Sequence, residues 1–139
     1  MNHLNWTFST LGCPDLSLEE SVLLARKHGL SMLEIRALDG QLDLPAIFEK
    51  RYGSPEKLRE YLDDSGLRVA ALDASLKLIG NGPEDRAEFL NLVPWAECLG
   101  VPYLRVFDGG NYAIELSRED LETAQETVAW WRSMRKHNH

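Results

Sequence analysis

Six side chains stand at or near the ends of short apolar runs, and their types suit a hydroxylated or anionic small molecule. Glu34 and Arg36 close the run that begins at Met32. Asp73 and Ser75 close the run that begins at Val69, with Lys77 two residues further on. Arg105 and Asp108 bracket Val106-Phe107. In an extended chain alternate residues share a face, so Glu34 lies beside Arg36 and Asp73 beside Ser75. A guanidinium can hold a sugar hydroxyl or a phosphate, and a neighbouring glutamate can orient it. A carboxylate with a hydroxyl suits a polyhydroxylated ligand. The glycines of Asp108-Gly109-Gly110 would let backbone approach a ligand closely. Each group also has a plainer use. Glu34 and Arg36 could form an ion pair at a barrel mouth, Asp73 and Ser75 are favoured in turns that end strands, and Arg105 could pair with a buried carboxylate such as Glu34.

The elements that must position these residues are written as a repeat. Three times a helix-like run closes on a glycine, followed by a short apolar strand: at Gly29, Gly66 and Gly100, in steps of 37 (29 to 66) and 34 (66 to 100). A period in the thirties holding one helix and one strand marks a βα architecture with a parallel sheet. Such sheets carry their chemistry at the carboxyl ends of the strands. The alternation over Asn5–Thr10 supplies a first strand, and strands follow over Ser31–Arg36, about Arg68–Asp73, and Tyr103–Phe107. Ser17-Leu18-Glu19-Glu20 is a capping box, opening a helix whose stripe is Leu18, Val22 and Ala25, widened by Leu23 and Leu24. The stretch from Ala37 to Gly53 reads as an irregular insertion, too apolar in Leu42, Leu44, Ile47 and Phe48 to be a free linker.

Ser54-Pro55 starts the next helix, and Asn81-Gly82-Pro83-Glu84 a third, in which Pro94 predicts a kink or break. The last helix begins near Ser117 with Leu121, Ala124, Val128 and Trp131 on one face. Its basic end, Arg132, Arg135 and Lys136, complements the helix dipole. Trp130-Trp131 reads as helix packing, with at least one ring facing the sheet. The fold class is therefore α/β: a parallel (βα)4 half of a TIM-type barrel, forming one domain over 1–139.

Composition narrows the partners. A net charge of −7 with no basic stripe makes a nucleic-acid partner unexpected. No apolar run approaches a membrane span and no charged, apolar leader opens the chain, which makes the expectation a cytoplasmic protein. Cys13 and Cys98 are too few for a disulfide framework or a metal cluster and read as reduced thiols. The four histidines lie at the chain ends or a helix terminus and form no ligand pair. No serine or cysteine nucleophile with an evident histidine partner, no P-loop and no GxGxxG occurs. No cofactor is read from the residues themselves.

Several phrases together resemble the amino-terminal half of the sugar phosphate isomerase/epimerase family, within the xylose isomerase-like TIM-barrel superfamily. They are Phe8-Ser9-Thr10-Leu11-Gly12-Cys13-Pro14 leading to Ser17-Leu18-Glu19-Glu20, then Gly29 to Glu34-Ile35-Arg36, Ala71-Leu72-Asp73-Ala74-Ser75, and Ala96 to Phe107. The resemblance implies a barrel that binds a sugar or sugar phosphate at the carboxyl ends of its strands. In the wider family it also implies a divalent metal, held mostly by carboxylates and histidines on strands 5 to 8. This chain ends about where strand 5 should begin, so an alternative is a non-catalytic half-barrel that keeps fold and dimerisation without the metal site. A half barrel leaves strands 1 and 4 as open edges. The simplest remedy is a homodimer in which strand 4 of each copy meets strand 1 of the other.

Overall fold

The computed structural model describes residues 5–111 and 114–135. Four strands, β1 (Phe8–Ser9), β2 (Met32–Ile35), β3 (Arg68–Lys77) and β4 (Tyr103–Phe107), form one sheet in the order β1-β2-β3-β4. The β1–β2 and β2–β3 pairs are parallel, and the second carries an irregularity between Leu33 and Glu34. The helices are α1 (Leu18–Lys27), α2 (Leu44–Tyr52), α3 (Pro55–Ser65), α4 (Pro83–Leu99) and α5 (Arg118–Arg135). The chain divides into two compact units: residues up to Ala74 together with Leu90–Arg105, and Ser75–Phe89 together with the chain from Val106 onward.

The first unit is built on the side chains that β2 and β3 turn away from the polar face. Leu33, Ile35 and Leu72 are fully buried, as are Leu18 and Ala25 of α1, Phe48 of α2 and Leu58 of α3. Each large aliphatic side chain removed from water in this way contributes roughly 1.5–3 kcal/mol. The capping box forms as expected: the Ser17 hydroxyl accepts from the Glu20 amide at 3.2 Å, and the Ser17 amide donates to Glu20 Oε2 at 2.8 Å. Leu23, by contrast, is 64 % exposed and does not widen the buried stripe. It lies one residue past Val22, about 100° round the helix and on its outer side.

The stretch read as irregular contains α2. Asp43 caps it, its carboxylate accepting from the Ala46 amide at 3.1 Å, and Pro45 occupies the first turn, where its missing N–H costs nothing. Leu44, Ile47 and Phe48 are buried at helical spacing, and the Phe48 ring meets Trp95 at 5.3 Å. Gly53 ends the helix at φ +78°, a left-handed conformation that glycine adopts without a Cβ clash. α4 runs continuously through Pro94, so no break occurs there. The first strand is shorter than its alternation implies, because a 3-10 turn over Thr10–Gly12 follows Ser9 at once.

In the second unit, Asn81 ties the turn after β3 to α5. Its side-chain amide donates to the Lys77 carbonyl at 2.9 Å and to Thr127 Oγ1 at 2.7 Å, while Thr127 Oγ1 donates to the Leu78 carbonyl. Arg86 donates to Asn81 Oδ1, pairs with Glu126 and lies 4.9 Å from the centre of the Trp130 ring, which also meets Phe89. The buried face of α5 therefore centres on Thr127 and Trp130. Leu121 and Trp131, expected on that face, are about half exposed. The segment after β4 runs backbone against backbone with the segment after β3: the Leu78 amide donates to the Phe107 carbonyl and the Ile79 amide to that of Asp108. Gly109 sits at φ +78°, and a Cβ there would lie 2.3 Å from the Ile79 carbonyl oxygen. Lys136, expected to complement the end of the last helix, lies outside the described residues.

Candidate functional site

Glu34, Asp73 and Arg105 come together from three neighbouring strands. Arg105 Nη1 donates to Glu34 Oε1 and to Asp73 Oδ2, each at 3.1 Å, so one nitrogen serves two carboxylates. The Arg105 side chain is 47 % exposed, that of Glu34 23 %, and that of Asp73 fully buried. Asp73 is buried because β3 continues past it to Lys77. The strand was expected to end near Asp73, yet the residue stands mid-strand between buried Leu72 and Ala74. Asp73 Oδ1 has no hydrogen-bond partner among the described residues.

The electrostatics follow from that burial. Removal from water raises the Asp73 carboxyl most, and the nearby Glu34 charge raises it further. Arg105 and Arg36 pull it down, and a hydrogen bond shared with Glu34 pushes it up again, leaving it pushed up to about 6. Asp73 can thus gain or lose a proton close to neutral pH. Arg36 itself is buried at the end of β2. It is held there by a residue that carried no chemical signal in the sequence. Thr10 is fully buried, and its Oγ1 accepts from the amides of Arg36 and Ala37 at 3.0 and 3.2 Å. The only hint of this was Thr10's place in the first alternating run.

Ser75 and Asp108 belong to the second unit. Ser75 is half-buried near the end of β3, and exposed Asp108 accepts from the Gly110 amide through Oδ1 at 3.1 Å. That contact is a turn of the kind aspartate favours. The group brought together is therefore Glu34, Asp73 and Arg105, with Arg36 near enough for its charge to act.

Two solved structures share this fold. One is the probable 3-DHS dehydratase AsbF of Bacillus anthracis, involved in petrobactin synthesis. It has a TM-score of 0.68 and 15 % identity, over 90 % of this chain and 46 % of that one. The other is the IolI protein with a binding zinc atom, with a TM-score of 0.63 and 20 % identity, over 87 % of this chain and 43 % of that one. The chain has the fold of half a TIM-type barrel. It spans a little under half the length of the structures it matches. The likeness is one of fold. No family model matches the sequence, and neither does any curated protein.

Among the described residues no group of three or more histidine, cysteine, aspartate or glutamate side chains is placed to hold a metal ion. The two carboxylates that do converge already share the Arg105 guanidinium. Among the described residues no helix is long and apolar enough to cross a membrane.

Proposed function

We propose that this half-barrel binds a sugar or sugar phosphate toward the carboxyl ends of its strands, as a sugar phosphate isomerase/epimerase-like protein. The observation that carries the reading is the Arg105 bridge between Glu34 and fully buried Asp73. A polar group of this kind, with one acceptor atom unsatisfied, is expensive to keep in a sheet unless something uses it. Arg36 supplies a second cation. A non-catalytic reading is favoured by one feature. The two carboxylates that converge are already bridged by the Arg105 guanidinium.

The same proposal includes one (βα)4 domain that closes as a homodimer. β1 and β4 are the outer strands of the sheet, and their unpaired backbone groups are a template for pairing. A cytoplasmic location accords with the free thiols of Cys13 and Cys98. The test is a titration of isotope-labelled protein with sugars and sugar phosphates, followed by backbone NMR. Shifts should concentrate at Glu34, Asp73 and Arg105. An unchanged spectrum at roughly millimolar ligand, where even weak sites fill, would reject the reading. Light scattering reads the dimer separately, and a stable monomer would remove it.

A further inference from the structure

The Arg105 cluster contains a buried acceptor and an exposed cation in contact. Asp73 Oδ1 is buried without a donor among the described residues, and Asp73 Oδ2 is held by a guanidinium whose side chain is nearly half exposed. An unsatisfied buried acceptor is costly, and a donor delivered to it removes that cost. To deliver one, a ligand must first loosen Arg105 from the carboxylates. A neutral hydroxyl competes poorly with two carboxylates for a guanidinium, whereas an anionic oxygen group competes well, because charge-assisted bonds are the stronger ones. Glu34 from β2, Arg36 just beyond β2 and Arg105 from β4 are the charged groups that act on Asp73. With Arg105 turned to a ligand, the Glu34 charge acts on buried Asp73 without that guanidinium to oppose it, and a carboxylate so placed holds a proton more tightly.

We infer that the site selects an anionic, hydroxylated small molecule: its anionic group draws Arg105 off the two carboxylates, its hydroxyl donates to Asp73 Oδ1, and Asp73 takes up one proton from solvent as it binds. The inference rests on the sugar-binding reading for the place of the site and narrows it to phosphorylated or carboxylated compounds. It also gives Arg105 two roles in sequence, cover of the carboxylates in the free protein and anion ligand in the complex.

Titration calorimetry of the full chain at pH 6.5–7.5, in two buffers of different ionisation enthalpy, tests it. D-glucose 6-phosphate, D-gluconate and D-glucose are the probes. The anionic probes should bind with net proton uptake that approaches one proton as the pH rises, and D-glucose should bind at least about tenfold more weakly. Uptake with only one anionic probe still supports the inference and assigns the anion as phosphate or carboxylate. Asp73→Asn should abolish the uptake. Arg105→Gln should weaken the anionic probes about tenfold, with partial recovery in Arg105→Lys. Because uptake is read on the unmodified chain, a variant that fails to fold leaves the test intact.

Anion binding without proton exchange overturns the inference. Binding of D-glucose as tight as the anions, with no uptake, also overturns it but leaves the sugar-binding reading standing. Failure of all three probes to bind removes both.

Discussion

Among the described residues the same ionic motif occurs twice, one arginine between two carboxylates, and the two copies behave in opposite ways. Arg51 donates through Nε and Nη2 to Asp39 and through Nη1 to Glu19, which also accepts from the Tyr52 hydroxyl at 2.6 Å. Arg105 serves Glu34 and Asp73 through a single nitrogen. Around Arg51 the carboxylates are 28–41 % exposed and each has its own donors. Burial pushes Glu19 up, but the Tyr52 hydroxyl, its own backbone amide and Arg51 outweigh it and hold it below its ordinary value. Around Arg105, burial of Asp73 and the Glu34 charge beside it outweigh the pull of Arg105 and Arg36. Composition does not decide whether such a triad is a surface clamp or a proton-active site. Depth and the number of donors per carboxylate decide it.

Removing the cation from each triad gives the sharpest contrast. Arg105→Gln should destabilise the protein by about 3 kcal/mol at pH 8, since it strands a buried carboxylate. Most of that loss should disappear at pH 5, where Asp73 is neutral. Urea unfolding at the two pH values reads this, and an equal loss at both would dissolve the distinction between the triads.

The next effect is in the unmodified chain. Burial pushes Asp73 up to about 6 in the folded state, from an ordinary 3.8, so the folded state binds the proton more tightly. Its contribution to stability is greatest below pH 3.8 and is lost as the pH rises through 6, a change on the order of 2–3 kcal/mol. Subtracting the pH profile of Asp73→Asn from that of the parent isolates it. A flat difference between pH 4 and 7 would contradict the burial argument.

Smaller effects belong to the outer triad. Tyr52→Phe removes a part-buried hydrogen bond to a charged acceptor and should cost about 1.5 kcal/mol in urea unfolding. Arg51→Gln should cost only about 0.5 kcal/mol, less at high salt and without pH dependence between 5 and 8. A larger, salt-insensitive cost would mean that the two triads differ less than their exposures imply.

Much of the fold was legible because its signals are local. Glycine at 29, 66 and 100, the Ser17–Glu20 box and the β-branched and aliphatic runs each specify an element within a few residues. The pairing of Arg105 with Glu34 could also be anticipated, since both side chains stand on one face of the sheet, where a long guanidinium on β4 can reach across β3 to β2. What escaped was set by distant partners. α2 was hidden by Pro45 and its polar flanks, although Asp43 before Leu44-Pro45 is a cap-and-proline start that could have found it. Thr10 looks like any strand threonine until the β2 amides close on it. The depth of Asp73 depends on β3 continuing to Lys77, through Ala74-Ser75-Leu76, where turn-forming residues masked a strand.

Gly109 carries a consequence for how this rim could diversify. With its missing side chain filled by the Ile79 carbonyl, and two amides crossing from Leu78 and Ile79 to Phe107 and Asp108, the segments after β3 and β4 are stitched together without using any side chain. Those two bonds do not depend on which side chains Leu78 and Ile79 carry, so these two can vary while the main chain cannot. An inserted residue in one segment would shift the register of the other, so changes in length there must arise in pairs, whereas changes in chemistry can arise singly.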